Sequence, residues 1–270
     1  MIYCAPRARY LRMKAESAKV PDYTWRLASR ALVLGREEVH VWRADLDQLS
    51  SEADNHRLNL AADEQARADR FYFQKDRDHF IVARGVLRAI LGIYLNRTPQ
   101  SLVFDYNSHG KPALALPTHD DDIRFNISHS HGVALYAVTR GRELGIDVER
   151  IRRDLEVAEI AGRFFSRREV AVLRALPTDS QRTAFFLGWT RKEAYIKARG
   201  DGLSIPLDQF DVSLTPGEPA PLLSTRPDSS EAARWSLYNL VVSPDFAAAL
   251  AVEGQGCALS FWQWPEPAGK

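Results

Sequence analysis

Arg70-Phe71-Tyr72 and Arg163-Phe164-Phe165 mark the same point in two passes through one order of elements, and this repetition constrains the fold more than any other feature. In the first pass the strand-like EVHVWRADL (38–46) leads to ARADRFYFQKDRDHF, a helix around an aromatic cluster. FIVARGVLRAILGIYL (80–95) follows, with Phe80, Ala83, Arg84, Leu87, Ile90, Leu91 and Tyr94 at helical spacing. A loop carrying HGKP and the strands IRFNISHS and VALYAVT complete the pass. The second pass runs LGIDVERI, AGRFFSRREVAVLRAL, the helix TAFFLGWTRKEAYIKARG (183–200), the loop GDGLSIP, then RWSLYNLVV and FAAALAVE. Pro112 and Pro206 fall at similar offsets, and SHGVALYAV from Ser130 resembles SPDFAAALAV from Ser243. The expected fold is α/β (α+β), a pseudo-twofold pair of similar lobes with the functional site in the cleft between them, where ligand pockets are common. The division reads as a basic leader (1–30), an N-terminal lobe (31–140) and a C-terminal lobe (141–270). TPGEPAPLLSTRPDSSEA (215–232) reads as a surface loop or hairpin excursion.

Composition narrows the setting. A formal net charge of +1 gives no case for nucleic acid or membrane binding. No stretch approaches the ~20 apolar residues needed to cross a bilayer. Two cysteines, Cys4 and Cys257, do not make a four-thiolate zinc site, and a disulfide framework is not expected in so long a chain, so a cytoplasmic location is expected. The opening MIYCAPRARYLRMKAESAKVPDYTWR lacks the apolar core of a secretory signal and reads as a leader, with organelle targeting as the alternative.

Within GIDVERI (145–151), Asp147 and Glu149 stand two apart on a strand and share a face. At an effective dielectric of about 20, two carboxylates roughly 6 Å apart repel by about 3 kcal/mol, so a positive partner is required. GWTRKEAYIK supplies a third acid, Glu193, with Lys192 beside it and Lys197 one turn on. Three acids fit an oxygen-ligand Mg²⁺ site completed by phosphate and water. They fit equally a Glu193–Lys197 helix pair beside a solvated strand edge. SHGKPAL (108–114) is not a Walker A loop, yet its turn can aim Lys111 at a phosphate. In NISHSH (126–131), Ser128, His129, Ser130 and His131 lack the GxSxG elbow and any further metal ligand, and suit polar strand residues beside a ligand. Arg67, Arg70, Lys75 and Arg77 form a basic helix face.

Taken together the chain resembles the Sfp-type 4′-phosphopantetheinyl transferases. The resemblance rests on Gly145-Ile146-Asp147-Val148-Glu149, on Trp189-Thr190-Arg191-Lys192-Glu193-Ala194-Tyr195-Ile196-Lys197, on GKP (110–112) and on FNISHS (125–130), in family order from about residue 38 to 252. RFF (163–165) and GDGLSIPLDQFDV add to it. It implies transfer of 4′-phosphopantetheine from coenzyme A to a serine of an apo carrier protein, with adenosine 3′,5′-bisphosphate as the other product. It implies Asp147, Glu149 and Glu193 as ligands of Mg²⁺, with Mn²⁺ as a substitute, Glu193 as the base directly or through a water, and Lys197 on the pyrophosphate. Arg67, Lys111, Asn126, Ser128, His129, Lys192 and Lys197 match coenzyme A contacts. His79 stands where some members carry an arginine for the 3′-phosphate, a departure that Arg77 or Arg84 can offset. Implied partners are acyl carrier proteins or the carrier domains of fatty-acid, polyketide and nonribosomal peptide synthases, docked on Arg163–Leu176 and met by Arg152, Arg153, Arg167 and Arg168. A monomer is implied. The alternatives are a Mg²⁺-dependent phosphodiesterase using the same acids, and a non-catalytic coenzyme A- or carrier-binding module.

Overall fold

The structure is a computed structural model and describes residues 24–28, 32–115, 122–200, 202, 205–216, 221–226 and 228–265. Most of the basic leader therefore lies outside the described residues, as do parts of GDGLSIP and of the Pro-rich excursion. After the short β1 (Arg26–Leu27) and β2 (Glu38–Asp45) come three small helices, α1 (Leu46–Leu49), α2 (Ala53–Arg57) and α3 (Ala62–Ala68). The long α4 (Gln74–Leu95) leads to β3 (Phe104–Tyr106), β4 (Pro112–Leu114), β5 (Ile123–Ser130) and β6 (Val133–Arg140). β7 (Leu144–Arg150), α5 (Val157–Phe164), α6 (Arg167–Ala175) and the long α7 (Thr178–Arg199) open the second half. It closes with β8 (Phe210–Val212), β9 (Leu222–Thr225), β10 (Trp235–Asn239), β11 (Phe246–Glu253) and β12 (Ala258–Gln263).

The two passes share one topology. In the first, β2 pairs antiparallel with β6, and β6 with β5; in the second, β7 pairs antiparallel with β11, and β11 with β10. α4 and α7 are each 22 residues long and each ends in a left-handed residue, Asn96 and Gly200, the usual stop for a helix that continues into a loop. Each helix packs on one face of its own sheet. Trp42, Leu87, Ile90 and Tyr136 belong to the core under α4, and Phe185, Tyr195, Phe210 and Ala249 to the core under α7. The opposite faces meet in a third core, where Val39, Val41 and Leu135 oppose Ile146, Val148 and Leu250. The layers run helix, sheet, sheet, helix. Both central sheets are covered on both faces, which is why β6 and β11 read as nearly unbroken apolar runs.

Three details depart from the sequence reading. β12 returns to pair in parallel with β2, so residues 258–263 complete the sheet of the first half rather than that of the second. The helix expected through ARADRFYFQKDRDHF breaks between Ala68 and Gln74, leaving Tyr72 and Phe73 exposed. The helix expected from Arg163 to Leu176 breaks at Phe165–Ser166, because Ser166 caps α6: its Oγ accepts from Glu169 N, and the Glu169 carboxylate accepts from Ser166 N. Among the described residues no helix is long and apolar enough to cross a membrane.

Candidate active site

Where β5 crosses β7 the two sheets meet without a backbone ladder. β7 is the edge strand of its sheet, so its outward N–H groups need acceptors. The small polar residues at alternate positions of β5 provide them. Asn126 Oδ1 accepts from Ile146 N (2.9 Å), Ser128 Oγ from Val148 N (3.4 Å) and Ser130 Oγ from Arg150 N (3.3 Å). Beside this seam lies a cleft of about 490 Å³ lined from three elements: Asp147 and Glu149 of β7, Trp189, Glu193 and Lys197 of α7, and Ile127, Ser128 and His129 of β5. Arg67, Phe80, Ala83 and Arg84 close its far side.

Local structure explains the convergence. Trp189, Glu193 and Lys197 recur every four residues and so share one face of α7. That face lies close against β7 because residue 145 is glycine: a Cβ there would stand 2.2 Å from Ala194 O and 2.3 Å from Ala198 N. Asp147 is 3% exposed. Its Oδ1 accepts from Lys197 Nζ (2.6 Å) and Ser128 Oγ (2.9 Å), while Oδ2 is buried with no hydrogen-bond partner among the described residues. Lys197 also reaches Ser128 Oγ (3.1 Å) and Ile146 O (3.3 Å). The positive partner demanded by the acid pair is therefore Lys197, across the strand–helix contact. Glu149 accepts from Ser130 Oγ at 3.0 Å.

Burial pushes the carboxyls of Glu149 and Glu193 above the ordinary range, and the Asp147 charge adds to both. Burial, with Lys197, His79 and Arg84 nearby, pushes the His129 imidazole down toward its neutral form. Among the described residues no group of three His, Cys, Asp or Glu side chains closes on a metal position. The three acids line one cleft without forming a finished cage. The orphaned Asp147 oxygen and the all-oxygen donor set suit a hard cation that keeps water and phosphate as its remaining ligands.

Other expected site residues lie elsewhere. Lys192 is fully buried on another face of α7, where Nζ pairs with Glu169 (2.8 Å) and donates to Leu207 O and Phe210 O (2.7 Å each), under the rings of Phe165 and Phe210. This corrects its expected coenzyme A contact: a helical neighbour of Glu193 points about 100° away from it. His79 faces Asp47 (3.0 Å), which Lys75 also holds (2.9 Å). Lys111 spans the seam to Glu143 Oε2 (3.4 Å), Leu144 O (3.2 Å) and Ala198 O (3.4 Å), and borders a separate hollow of about 520 Å³. Asn126 is buried on the Ile146 amide. None of these four lines the acid cleft.

Arg84 does line it. It is 7% exposed, donates to Tyr106 OH (3.1 Å), stands 3.8 Å from Glu64 and keeps Nη1 buried without a partner among the described residues. Arg67 lies over the Phe80 ring. Arg77 instead donates to Phe71 O and Gln74. Trp189, which stacks on Phe185, forms the wall shared with an adjoining hollow of about 320 Å³ whose lining includes Arg152, Leu155 and Ile160. The Asn126-Ser128-Ser130 seam was not among the site features expected from the sequence. Its signal was small polar side chains at alternate positions of a strand whose other face is apolar.

Comparisons with known proteins agree on one family. The model of the 4′-phosphopantetheinyl transferase superfamily matches residues 143–251, and that of the 4′-phosphopantetheinyl transferase N-terminal region matches 42–140. The chain is 43% identical to the 4′-phosphopantetheinyl transferase HetI of Nostoc sp., over 90% of this chain and 99% of that protein. It is 32% identical to the 4′-phosphopantetheinyl transferase Sfp of Bacillus subtilis, over 63% of this chain and 74% of that one. It is 27% identical to the human L-aminoadipate-semialdehyde dehydrogenase-phosphopantetheinyl transferase, over 58% of this chain and 54% of that one.

Proposed function

The chain belongs to the 4′-phosphopantetheinyl transferase superfamily, and on that premise we propose that the seam cleft moves the phosphopantetheine arm of coenzyme A onto a serine of an apo carrier protein. The observation that carries this reading is the buried Asp147 Oδ2, without a partner among the described residues and set in one cleft with Glu193 and Lys197. In the reaction the serine oxygen bonds to the phosphorus bearing the pantetheine arm. The pyrophosphate P–O bond breaks, and adenosine 3′,5′-bisphosphate leaves with the bonding pair.

Asp147, Glu149 and Glu193 are the residues that would hold Mg²⁺ or Mn²⁺. The ion supplies charge neutralisation to the pyrophosphate when bound. The chain's own groups do the rest. Glu193, whose carboxyl burial has made more basic, accepts the serine proton directly or through a water. Lys197, held at the cleft wall by Asp147 and Ser128, stabilises the leaving phosphate. His129 and Ser128 border the same phosphates. Arg67 and the buried Arg84 grip the nucleotide phosphates, the role for which His79, engaged by Asp47, is not available. Asn126 acts through the seam, setting β5 against β7, and Lys111 ties the turn before β4 to β7 and α7. Positioning of this kind supplies most of the acceleration in phosphoryl transfer.

The hollow behind Trp189, with Arg152 in its wall and Arg167 and Arg168 exposed on the neighbouring α6, suits the acidic helices of a carrier. Carriers of fatty-acid, polyketide and peptide synthases all fit that description. The protein would act as a cytoplasmic monomer, with lobes divided near residue 140, β12 returned to the first sheet and a basic leader over residues 1–30. Chromatography of the nucleotide product tests the reading. Adenosine 3′,5′-bisphosphate should form only when apo carrier is present, one per carrier modified. Its release from coenzyme A alone would mean a phosphodiesterase instead.

A further inference from the structure

The seam does more than satisfy an edge strand. Ser128 and Ser130 repeat one arrangement two residues apart: each hydroxyl oxygen accepts a β7 amide, and each hydroxyl proton goes to the carboxylate one residue before that amide. Ser128 takes Val148 N and gives to Asp147; Ser130 takes Arg150 N and gives to Glu149. The two acids differ in their other support. Asp147 also has Lys197, whereas the Ser130 hydroxyl is the one hydrogen bond that the Glu149 side chain makes among the described residues. His131 Nδ1 lies 3.0 Å from the same Ser130 oxygen. With the single hydroxyl proton committed to Glu149, that nitrogen is a donor.

We propose that Ser130 is a positioning residue for the transfer reaction: it fixes Glu149 in the rotamer in which that acid serves as a cation ligand. A glutamate has three side-chain torsions, and Glu149 is partly buried beside another acid and, unlike Asp147, is in no ion pair among the described residues. A hydroxyl anchored on a backbone amide removes that freedom. The two-residue step of the seam matches the two-residue step of the acids. The contact that sets the register of the sheets thus also aims both carboxylates.

The proposal rests on the cation reading of the cleft, and its test separates the two. Mn²⁺ is titrated into protein saturated with coenzyme A, without carrier, and free Mn²⁺ is read by electron paramagnetic resonance against a protein-free blank. Ser130→Ala should bind Mn²⁺ about tenfold more weakly, the scale of one hydrogen bond to a charged group. Ser130→Thr should restore binding, and in a Glu149→Gln background Ser130→Ala should add nothing. Circular dichroism checks the fold. Ser130→Cys, which keeps the volume and weakens the donor, carries the same expectation if the alanine variant does not fold. Binding unchanged in the folded variant, or a loss that persists undiminished in the Glu149→Gln background, overturns the role of Ser130. A parent protein that binds no Mn²⁺ overturns the cation reading and this proposal together.

Discussion

Lys197 of α7 and Asp147 of β7 form the tightest contact of the cleft, Nζ to Oδ1 at 2.6 Å, with the carboxylate almost wholly buried and the ammonium about one-third exposed. Asp147 is tolerable in the interior because Lys197 and Ser128 hold one of its oxygens. Lys197→Met should therefore lower the free energy of unfolding by about 2–4 kcal/mol, toward the lower range for breaking a buried pair because the lysine is partly solvated. Asp147→Asn in the same chain should recover more than half of the loss. Urea unfolding of the two single variants and the double variant measures the coupling.

Glu193 and Glu149 give the protein a pH dependence of definite sign. Their folded carboxyls are raised above the ordinary 4.5, so the folded state binds these protons more tightly than the unfolded one. The stability they allow is full below the unfolded value and is lost as pH rises through the folded values. Metal-free protein should lose stability over that window. Glu193→Gln should flatten the loss and raise the neutral-pH melting midpoint by roughly 2–4 °C, the shift that about 1 kcal/mol gives a chain of this size. Transfer should follow the opposite course, rising with pH across the same window, since a base works only when deprotonated. Melting curves and rates across pH check both.

Gly145 sets the distance between β7 and α7. Gly145→Ala should push the strand from Ala194 and Ala198, lower stability by about 1–3 kcal/mol as overpacking does and reduce transfer at least tenfold by misplacing Asp147 against Glu193. Thermal unfolding together with steady-state rates reads both effects. A variant equal to the parent in both would show that the close approach is not needed.

Much of this arrangement was legible in the sequence, for reasons that differ by element. α4 carries a long apolar stripe, β2 and β5 keep strand composition, and the two passes repeat one order, so the lobes and the face shared by Asp147 and Glu149 were readable. The break before Ser166 was overlooked, although Ser166 and Glu169 are spaced as a capping box. Side-chain direction was not readable. Lys192 and Glu193 are adjacent in sequence but on different faces of a helix buried on nearly all sides, where the apolar pattern does not say which polar residue faces a cleft and which is paired inside. The return of β12 to the first sheet was hidden because parallel pairing between chain ends leaves no local signal. The seam was hidden because Asn126, Ser128 and Ser130 look like solvent-facing strand positions until β7 lies over them.

Lys192 separates structure from chemistry. Lys192→Met leaves Glu169 buried without its ammonium and should destabilise by about 3–5 kcal/mol. Its turnover per folded molecule should stay within about threefold of the parent, because the ammonium never reaches the cleft. Active-site titration alongside urea unfolding distinguishes the two. A specific loss of turnover in folded protein would return Lys192 to the site.

Arg84 should decide how the nucleotide end is held. Arg84→Gln should raise the KM for coenzyme A about tenfold or more, as the loss of a charge-assisted hydrogen bond to phosphate does. It should change the KM for dephospho-coenzyme A, which lacks the 3′-phosphate, by less than twofold. Equal effects on both substrates would place Arg84 on another phosphate.

The central claim is that this one cleft carries out the transfer, and intact mass spectrometry of an apo acyl carrier protein tests it most directly. With coenzyme A, Mg²⁺ and the parent protein, the carrier should gain the mass of one phosphopantetheine. The gain should vanish with Asp147→Ala and with Glu193→Ala while both variants remain folded. No gain across fatty-acid, polyketide and peptidyl carriers, or an undiminished gain with either variant, would contradict the account.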